Sequence, residues 1–296
     1  MLSQKALIYR FLSGRRRLLI VLDACRYDCL QDSSDLLARF EVRMEKVLSA
    51  GGCTKDWLIR TFTKPLPDVI YVSANPWVIR LLANKGMFKR VIDVSSRFWD
   101  SRYDTVRAEH VNLVALRYLL RGENLIVHYL QPHLPFISNT WLRGRGRKIY
   151  KLVSSNAAAR REFRRAYMKN LRYALRCATT LADAALKLGY RVVMTSDHAE
   201  LLGVYAPLRI SKMLLRRFFR GKSVPNRALS HYGGKATKSP RKASVVRLLK
   251  HWAPYILGLR RVVGHPCWWE GRELLEVPWV EVLSPRAYAY RNVVRF

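Results

Sequence analysis

Arg191-Val192-Val193-Met194-Thr195-Ser196-Asp197-His198-Ala199-Glu200 is the stretch on which the reading of the chain turns. Val192 to Met194 is a short, β-branched apolar run, which reads as a buried strand rather than a helix. It ends on an acid and an imidazole, with a second acid two residues on. In open α/β sheets, functional groups collect just past the carboxyl ends of strands. A carboxylate beside an imidazole is a metal-binding pair. On this stretch alone two readings of Asp197 stay open: the N-cap of a following helix, or a ligand.

The same grammar recurs towards the N-terminus. Leu18-Leu19-Ile20-Val21-Leu22 is a buried strand that ends on Asp23. Further strands are expected at 68–73, 90–94 and 125–130, and helices at 1–14, 32–48, 55–62, 104–121 and 160–188. A terminal strand at 274–283 contains Pro278, which argues for an edge or a bulge. Alternating strands and helices specify an α/β fold with a largely parallel sheet, and 296 residues suffice for one large domain.

Several strand ends carry polar chemistry: Asp23, Asp197 with His198, His128 with His133, and His265 after Val262-Val263-Gly264. Gly51-Gly52-Cys53-Thr54 is a turn opening a helix, where backbone N–H groups favour anions. Asp23, Asp197 and His198 could hold a divalent cation, with the Thr54 oxygen as a fourth ligand. Such a cation lowers the hydroxyl pKa and makes an alkoxide that attacks phosphorus or sulfur. His133 and His265 would hold anionic oxygens or a second cation. His128 either joins them or hydrogen-bonds within the core.

The formal net charge is +33, from 54 basic and 21 acidic residues. A field of that sign attracts polyanions: nucleic acid, an anionic lipid surface, or a phosphorylated or sulfated substrate. The excess is uneven, since Leu201 to Trp269 contains no Asp or Glu and fifteen Lys or Arg. A basic insertion at about 206–258 is therefore expected, with helical stretches at 213–220 and 245–257 around an irregular arm. It would steer substrate or clamp nucleic acid or an anionic membrane. Five scattered cysteines argue against a disulfide framework and for a reducing cytoplasm. Cys25, Cys29, Cys177 and Cys267 read as buried thiols. Residues 1–17 lack a signal-peptide pattern and no segment reads as membrane-spanning. The expected location is cytoplasmic, peripheral to a membrane if the basic segment meets one.

Taken in order, these residues resemble the alkaline phosphatase/sulfatase superfamily, and within it the sulfatase-like hydrolases found widely in archaea. Leu19 to Asp28 is similar to the family's first strand, and Cys53 to Leu58 to its nucleophile turn. Tyr71 to Pro76, His128 to Phe136, the helix with Asn170-Leu171-Arg172-Tyr173, and Thr195 to Gly203 follow in sequence. Gly264-His265-Pro266 and Glu276-Val277-Pro278-Trp279 complete the match. The resemblance implies an alkaline-phosphatase-like three-layer αβα fold with a largely parallel mixed central sheet. It also implies metal-dependent hydrolysis of phosphate or sulfate esters through a covalent intermediate. By position, Thr54 matches the nucleophile, and Asp23, Asp197 and His198 match ligands of a divalent ion (Mn, Zn, Ca or Mg). His265 matches a histidine near a second metal or the substrate anion.

Three departures qualify the match. Sulfatases mature a Cys-x-Pro-x-Arg turn, whereas Cys53 is followed by Thr54, Lys55, Asp56 and Trp57, which favours Thr54. Ala199 replaces the glycine of Asp-His-Gly-Glu, which is tolerable if no positive φ is needed there. Acids for a second metal are not evident around Tyr129 to His133, which points to a one-metal or weakened site. Alternatives within enzymes are a phosphodiesterase or a phospho-headgroup transferase. Outside them stands a catalytically weakened relative that binds nucleic acid or anionic membrane through 206–258.

Overall fold

A computed structural model describes residues 1–138, 148–211, 252–267, 269 and 271–286. Most of the basic insertion, 212–251, lies outside them, including the helix expected at 213–220.

The strands in chain order are β1 (Arg17–Asp23), β2 (Phe40–Leu48), β3 (Leu66–Ser73), β4 (Phe88–Asp93), the short pair β5 (Trp99–Asp100) and β6 (Thr105–Val106), β7 (Asn124–Pro132), β8 (Arg191–Ser196), β9 (Leu201–Val204), β10 (Val262–Gly264) and β11 (Glu276–Pro285). Seven of them form one sheet in the order β2-β11-β8-β1-β7-β3-β4. β1 pairs in parallel with β7 and β8, and β3 with β7 and β4. β11 runs antiparallel to both β2 and β8. The sheet is thus mixed and mostly parallel, as expected. β9 and β10 make a separate antiparallel pair past the end of β8.

Strand alternation builds two cores from one sheet. Leu19, Val21, Tyr71, Ile126 and Val193 face one side, covered by α1 (Gln4–Leu12), α3 (Thr54–Thr61) and α4 (Pro76–Leu82). Leu18, Ile20, Leu22, Val127 and Met194 face the other. That side is covered by α2 (Tyr27–Gln31), α6 (Ala108–Leu119), α7 (Lys148–Ser155) and α8 (Ala157–Lys187). A four-residue α5 (Ser95–Phe98) and α9 (Arg272–Leu275) complete the helices used below. Burial on both faces is why the central strands read as near-continuous apolar runs.

Two expectations are corrected. Residues 32–48 are not one helix: a 3₁₀ turn over Ser34–Leu37 leads into β2. Phe40, Val42 and Met44 alternate with Glu41, Arg43 and Glu45, and that period of two is a strand's signature. β11 is not an edge strand despite Pro278. Its ladder with β8 begins only at Trp279. The Pro278 carbonyl accepts a bond from Thr195 Oγ1 at 2.6 Å.

One buried side chain ties the two halves of the site scaffold. Gln4 on α1 donates to Thr195 Oγ1 (2.8 Å) and to the Ser196 carbonyl (2.6 Å) on β8. Its carbonyl accepts from Trp57 Nε1 on α3 at 2.8 Å. Both of its N–H donors and its oxygen are engaged in joining the strand that leads to Asp197 to the helix that carries Thr54.

Candidate active site

Asp23 at the end of β1, Asp197 and His198 just past β8, and Thr54 at the start of α3 meet at the carboxyl edge of the sheet. Thr54 Oγ1 lies 3.3 Å from His198 Nε2. The same nitrogen is 3.4 Å from Asp197 Oδ2 and 3.6 Å from Asp23 Oδ1. His198 Nδ1 sits 2.9 Å from the Ala199 carbonyl, so it donates there and turns Nε2 toward the acids. All four residues are buried.

Local chemistry sets each position. Asp197 Oδ1 accepts from the N–H groups of His198 (2.9 Å) and Ala24 (3.1 Å), which leaves Oδ2 for the centre. Ala24 is held at φ 62, a left-handed conformation that an alanine adopts only where the surroundings enforce it. Asn75 at the N-cap of α4 donates to Asp23 Oδ2 at 2.7 Å, while its own oxygen caps Trp77 N. Ala199 is not among the described residues with positive φ, so its methyl is accommodated there.

The Thr54 turn depends on Gly51. A Cβ there would lie 2.4 Å from the Trp57 backbone nitrogen, inside the helix that follows. Gly51→Ala is expected to cost about 1–3 kcal/mol of stability, as overpacking against fixed backbone does. Urea unfolding would show it as a lower midpoint at unchanged slope.

His128 lies on this side of the centre, 3.8 Å from Asp197 Oδ2, with its Nδ1 bonded to the Tyr71 hydroxyl at 3.0 Å. Both sequence readings of it meet here, since it hydrogen-bonds in the core and also faces the acids. His133 and His265 form a second group, together with Glu200, whose Oε2 is 2.8 Å from His265 Nδ1. His265 spans the two groups, with ring centroids 4.7 Å from His133 and 4.5 Å from His198. Glu200 supplies the acid that is not evident around Tyr129 to His133. It lies on the β8–β9 connection, and its place becomes visible only when that connection folds over the site.

Burial is the largest influence on the titrating groups of the centre. Burial, with Asp197 and Glu200 nearby, holds the Asp23 carboxyl well above its ordinary range, against the Asn75 hydrogen bond. Burial also pushes Asp197 upward, but His198, His128, the Thr54 hydroxyl and the Ala24 N–H bring it below its ordinary value. Burial lowers His128 to about 4, and burial beside His265 lowers His133 to about 3. Asp23 Oδ1, Asp197 Oδ2, His128 Nε2 and Glu200 Oε1 are buried without a hydrogen-bond partner. Leaving such atoms unpaired costs about 1–3 kcal/mol each.

Two sets of ligand atoms lie within 4.8 Å of one another: Asp23, His128 and Asp197, and His133, Glu200 and His265. Carboxylate and imidazole donors with buried atoms that lack a hydrogen-bond partner fit a divalent cation.

Burial raises Glu200 to about 7, from an ordinary value near 4.5. Its ionised form therefore weakens the metal-free fold progressively above pH 4.5, an effect complete once the pH passes 7. Glu200→Gln, which still accepts from His265, is expected to stabilise the chelator-treated protein at pH 8 by on the order of 2–3 kcal/mol. At pH 4 it should have little effect. Thermal melts of both chains at the two pH values measure this.

The cysteine expectation holds for Cys25, Cys29 and Cys177 and fails for Cys267. Cys53 and Cys267 form a disulfide across 214 residues of sequence, and Cys267 is exposed rather than a buried thiol. Cys25, Cys29 and Cys177 are buried free thiols. An odd count conceals one pair, so the cysteine argument for a reducing compartment falls. Among the described residues no helix is long and apolar enough to cross a membrane.

No protein-family model matches the sequence. No curated protein matches it either. Solved structures do. A protein described as in the alkaline phosphatase superfamily, from Vibrio parahaemolyticus, is 14% identical with a TM-score of 0.41; the match covers 63% of this chain and 55% of that one. The C-terminal periplasmic domain of EptC from Escherichia coli, in complex with Zn, is 11% identical with a TM-score of 0.48 over 92% of this chain and 74% of that one. Phosphonoacetate hydrolase from Sinorhizobium meliloti, in complex with phosphonoformate, is 14% identical with a TM-score of 0.42 over 94% and 93%. The chain thus spans about half the length of the first of these.

Proposed function

We propose that this chain is a metal-dependent phosphoester hydrolase of the alkaline phosphatase superfamily, with Thr54 as its nucleophile. One observation carries the reading: Asp23, Thr54, Asp197 and His198 converge in a buried cluster whose inward carboxylate oxygens have no hydrogen-bond partner. A buried cluster of that composition is costly as structure and useful as a cation site.

Asp23, Asp197, His198 and the Thr54 oxygen would hold the cation. When bound, it would supply the positive charge that acidifies the Thr54 hydroxyl and offsets charge on the transferring group. The protein's own part is positional. Gly51 and Gln4 fix the start of α3, so Thr54 Oγ1 faces the pocket. The first N–H groups of α3 favour phosphoryl oxygens as charge develops on them. Oγ1 gives its proton to water and forms a bond to phosphorus as the ester oxygen departs, and a water molecule later cleaves that bond, returning a proton to Oγ1 and releasing phosphate. His265, oriented by Glu200, stands with His133 on the adjoining side. These three would hold substrate oxygens or a second cation, and would manage the leaving group's proton.

Phosphate is preferred over sulfate because the sulfatase turn is absent and Cys53 is spent in a disulfide. The net charge of +33 favours an anionic substrate and speeds its capture. A single-domain organisation, 1–296 with its basic insertion, is part of the same reading. The test is turnover of an aryl phosphate, a phosphodiester and an aryl sulfate with Mn²⁺, Zn²⁺, Ca²⁺ or Mg²⁺ added to chelator-treated protein. Metal-dependent release from a phosphate ester is expected. No turnover on any of these, together with salt-sensitive binding to DNA or anionic vesicles, would establish the non-catalytic relative instead.

A further inference from the structure

A third cluster lies beside the Thr54 turn and takes no part in the chemistry above. Its donors are Cys53, Cys267 and Asp56, whose ligand atoms all lie within 4.8 Å of one another. Cys53 is the residue before α3, and Asp56 stands three residues on, where a helix returns to the same side. Cys267 arrives from the loop after β10, two residues beyond His265, and is exposed. The Cα atoms of the two cysteines are 5.2 Å apart. Asp56 is only partly buried, and its contact with Arg60 is a long 4.0 Å, which leaves the carboxylate available.

We propose that Cys53, Cys267 and Asp56 are a redox-gated site for a thiophilic divalent cation such as Zn²⁺, available when the disulfide is reduced. The exchange balances with a dithiol reductant. Its two S–H bonds give up two electrons and two protons, it closes to its own disulfide, and Cys53 and Cys267 become thiols. Zn²⁺ then displaces both thiol protons to solvent and forms two Zn–S bonds of ~2.3 Å, with the Asp56 carboxylate as third ligand. The sulfurs need separate only to the ~3.7 Å edge of such a tetrahedron. The exposed side of Cys267 admits water as the fourth ligand. Sulfur donors set this cluster apart from the two nitrogen and oxygen sets, since soft thiolates select Zn²⁺ and Cd²⁺ over Mg²⁺ or Ca²⁺. Thr54's turn and His265's loop are then joined in either state, by a covalent bond when oxidised and through a metal when reduced. The inference does not depend on the hydrolase reading.

The experiment uses the full chain with Cd²⁺ and Zn²⁺ as probes, oxidised or reduced by a phosphine that is then removed without oxygen. Thiol titration should rise from three free cysteines to five on reduction. Reduced protein should bind one more Cd²⁺ per chain than oxidised protein and show a thiolate–cadmium absorption band that the oxidised form lacks. Cys267→Ser should abolish both under reduction, and Asp56→Asn should weaken Zn²⁺ binding at the added site by at least about tenfold. Folded reduced protein with no added band, or an increment that survives Cys267→Ser, overturns the site. Loss of the circular dichroism spectrum on reduction overturns it as well, because the folded reduced state would not exist.

Discussion

Thr54→Ala is expected to lower metal-dependent phosphoester turnover by at least about a thousandfold, equivalent to about 4 kcal/mol of transition-state stabilisation. The substitution removes the oxygen placed for attack, 3.3 Å from His198 Nε2. The scaffold does not depend on that hydroxyl. The turn is set by Gly51, by the Cys53–Cys267 bond and by Trp57's bond to Gln4, so the variant should keep its fold and its circular dichroism spectrum. Thr54→Ser keeps the oxygen and loses a methyl, and should retain activity to within about a hundredfold of the parent. Steady-state kinetics on an aryl phosphate read both. Turnover by Thr54→Ala within tenfold of the parent would place the nucleophile elsewhere.

A second large effect concerns stability rather than rate. A divalent cation at one hundred times its dissociation constant should stabilise the chain by about 2.7 kcal/mol. For a protein of this size that is roughly 5 °C in Tm. Asp197→Asn should abolish the shift, because Oδ2 is an inward acceptor without a hydrogen-bond partner and faces both Asp23 and His198. Asp23→Asn should also lose the metal shift, yet without metal it should be more stable than the metal-free parent. Burial beside Asp197 and Glu200 holds the Asp23 carboxyl well above its ordinary range, and an Asn there keeps an oxygen for the Asn75 amide and ends that repulsion. Ordinary damage to a core lowers stability in both states, so opposite signs with and without metal mark a cation site. Thermal melts with and without chelator decide it, and an undiminished metal shift in Asp197→Asn would remove Asp197 from the ligand set.

The sheet was legible where burial on both faces writes an unbroken apolar run, as at Leu18–Leu22, Leu125–Leu130 and Val192–Met194. β2 was not, because it carries charge along its length and its period of two was masked by a charge density suited to a helix surface. Asp23, Thr54, Asp197 and His198 could be nominated because each stands where a strand ends or a helix begins. The residues that orient them could not. Asn75 reaches Asp23 across 52 positions, and Gln4 reaches β8 across more than 190. Such partners carry no local signal, since a buried amide in sequence looks like any polar residue on a helix or in a turn. Glu200 was in view, but its tie to His265 spans 65 positions and exists only after β9 and β10 pair.

The place of β11 in the sheet bears on how the protein is made. β8, which delivers Asp197 and His198, is flanked by β1 on one side and by β11 on the other. β2 reaches the sheet only through β11. During synthesis the half-sheet β1-β7-β3-β4 can assemble early, but β8 keeps an open edge and β2 has no neighbour until residues 276–285 emerge. Pairings at such separation close late. Asp23 and Asp197 can approach once β8 pairs with β1, but the Thr195 bond to the Pro278 carbonyl that fixes the end of β8 waits for those residues. Until then the carboxylates and imidazoles stand on an unfinished sheet, so on the cation-site proposal metal choice is left to the finished fold.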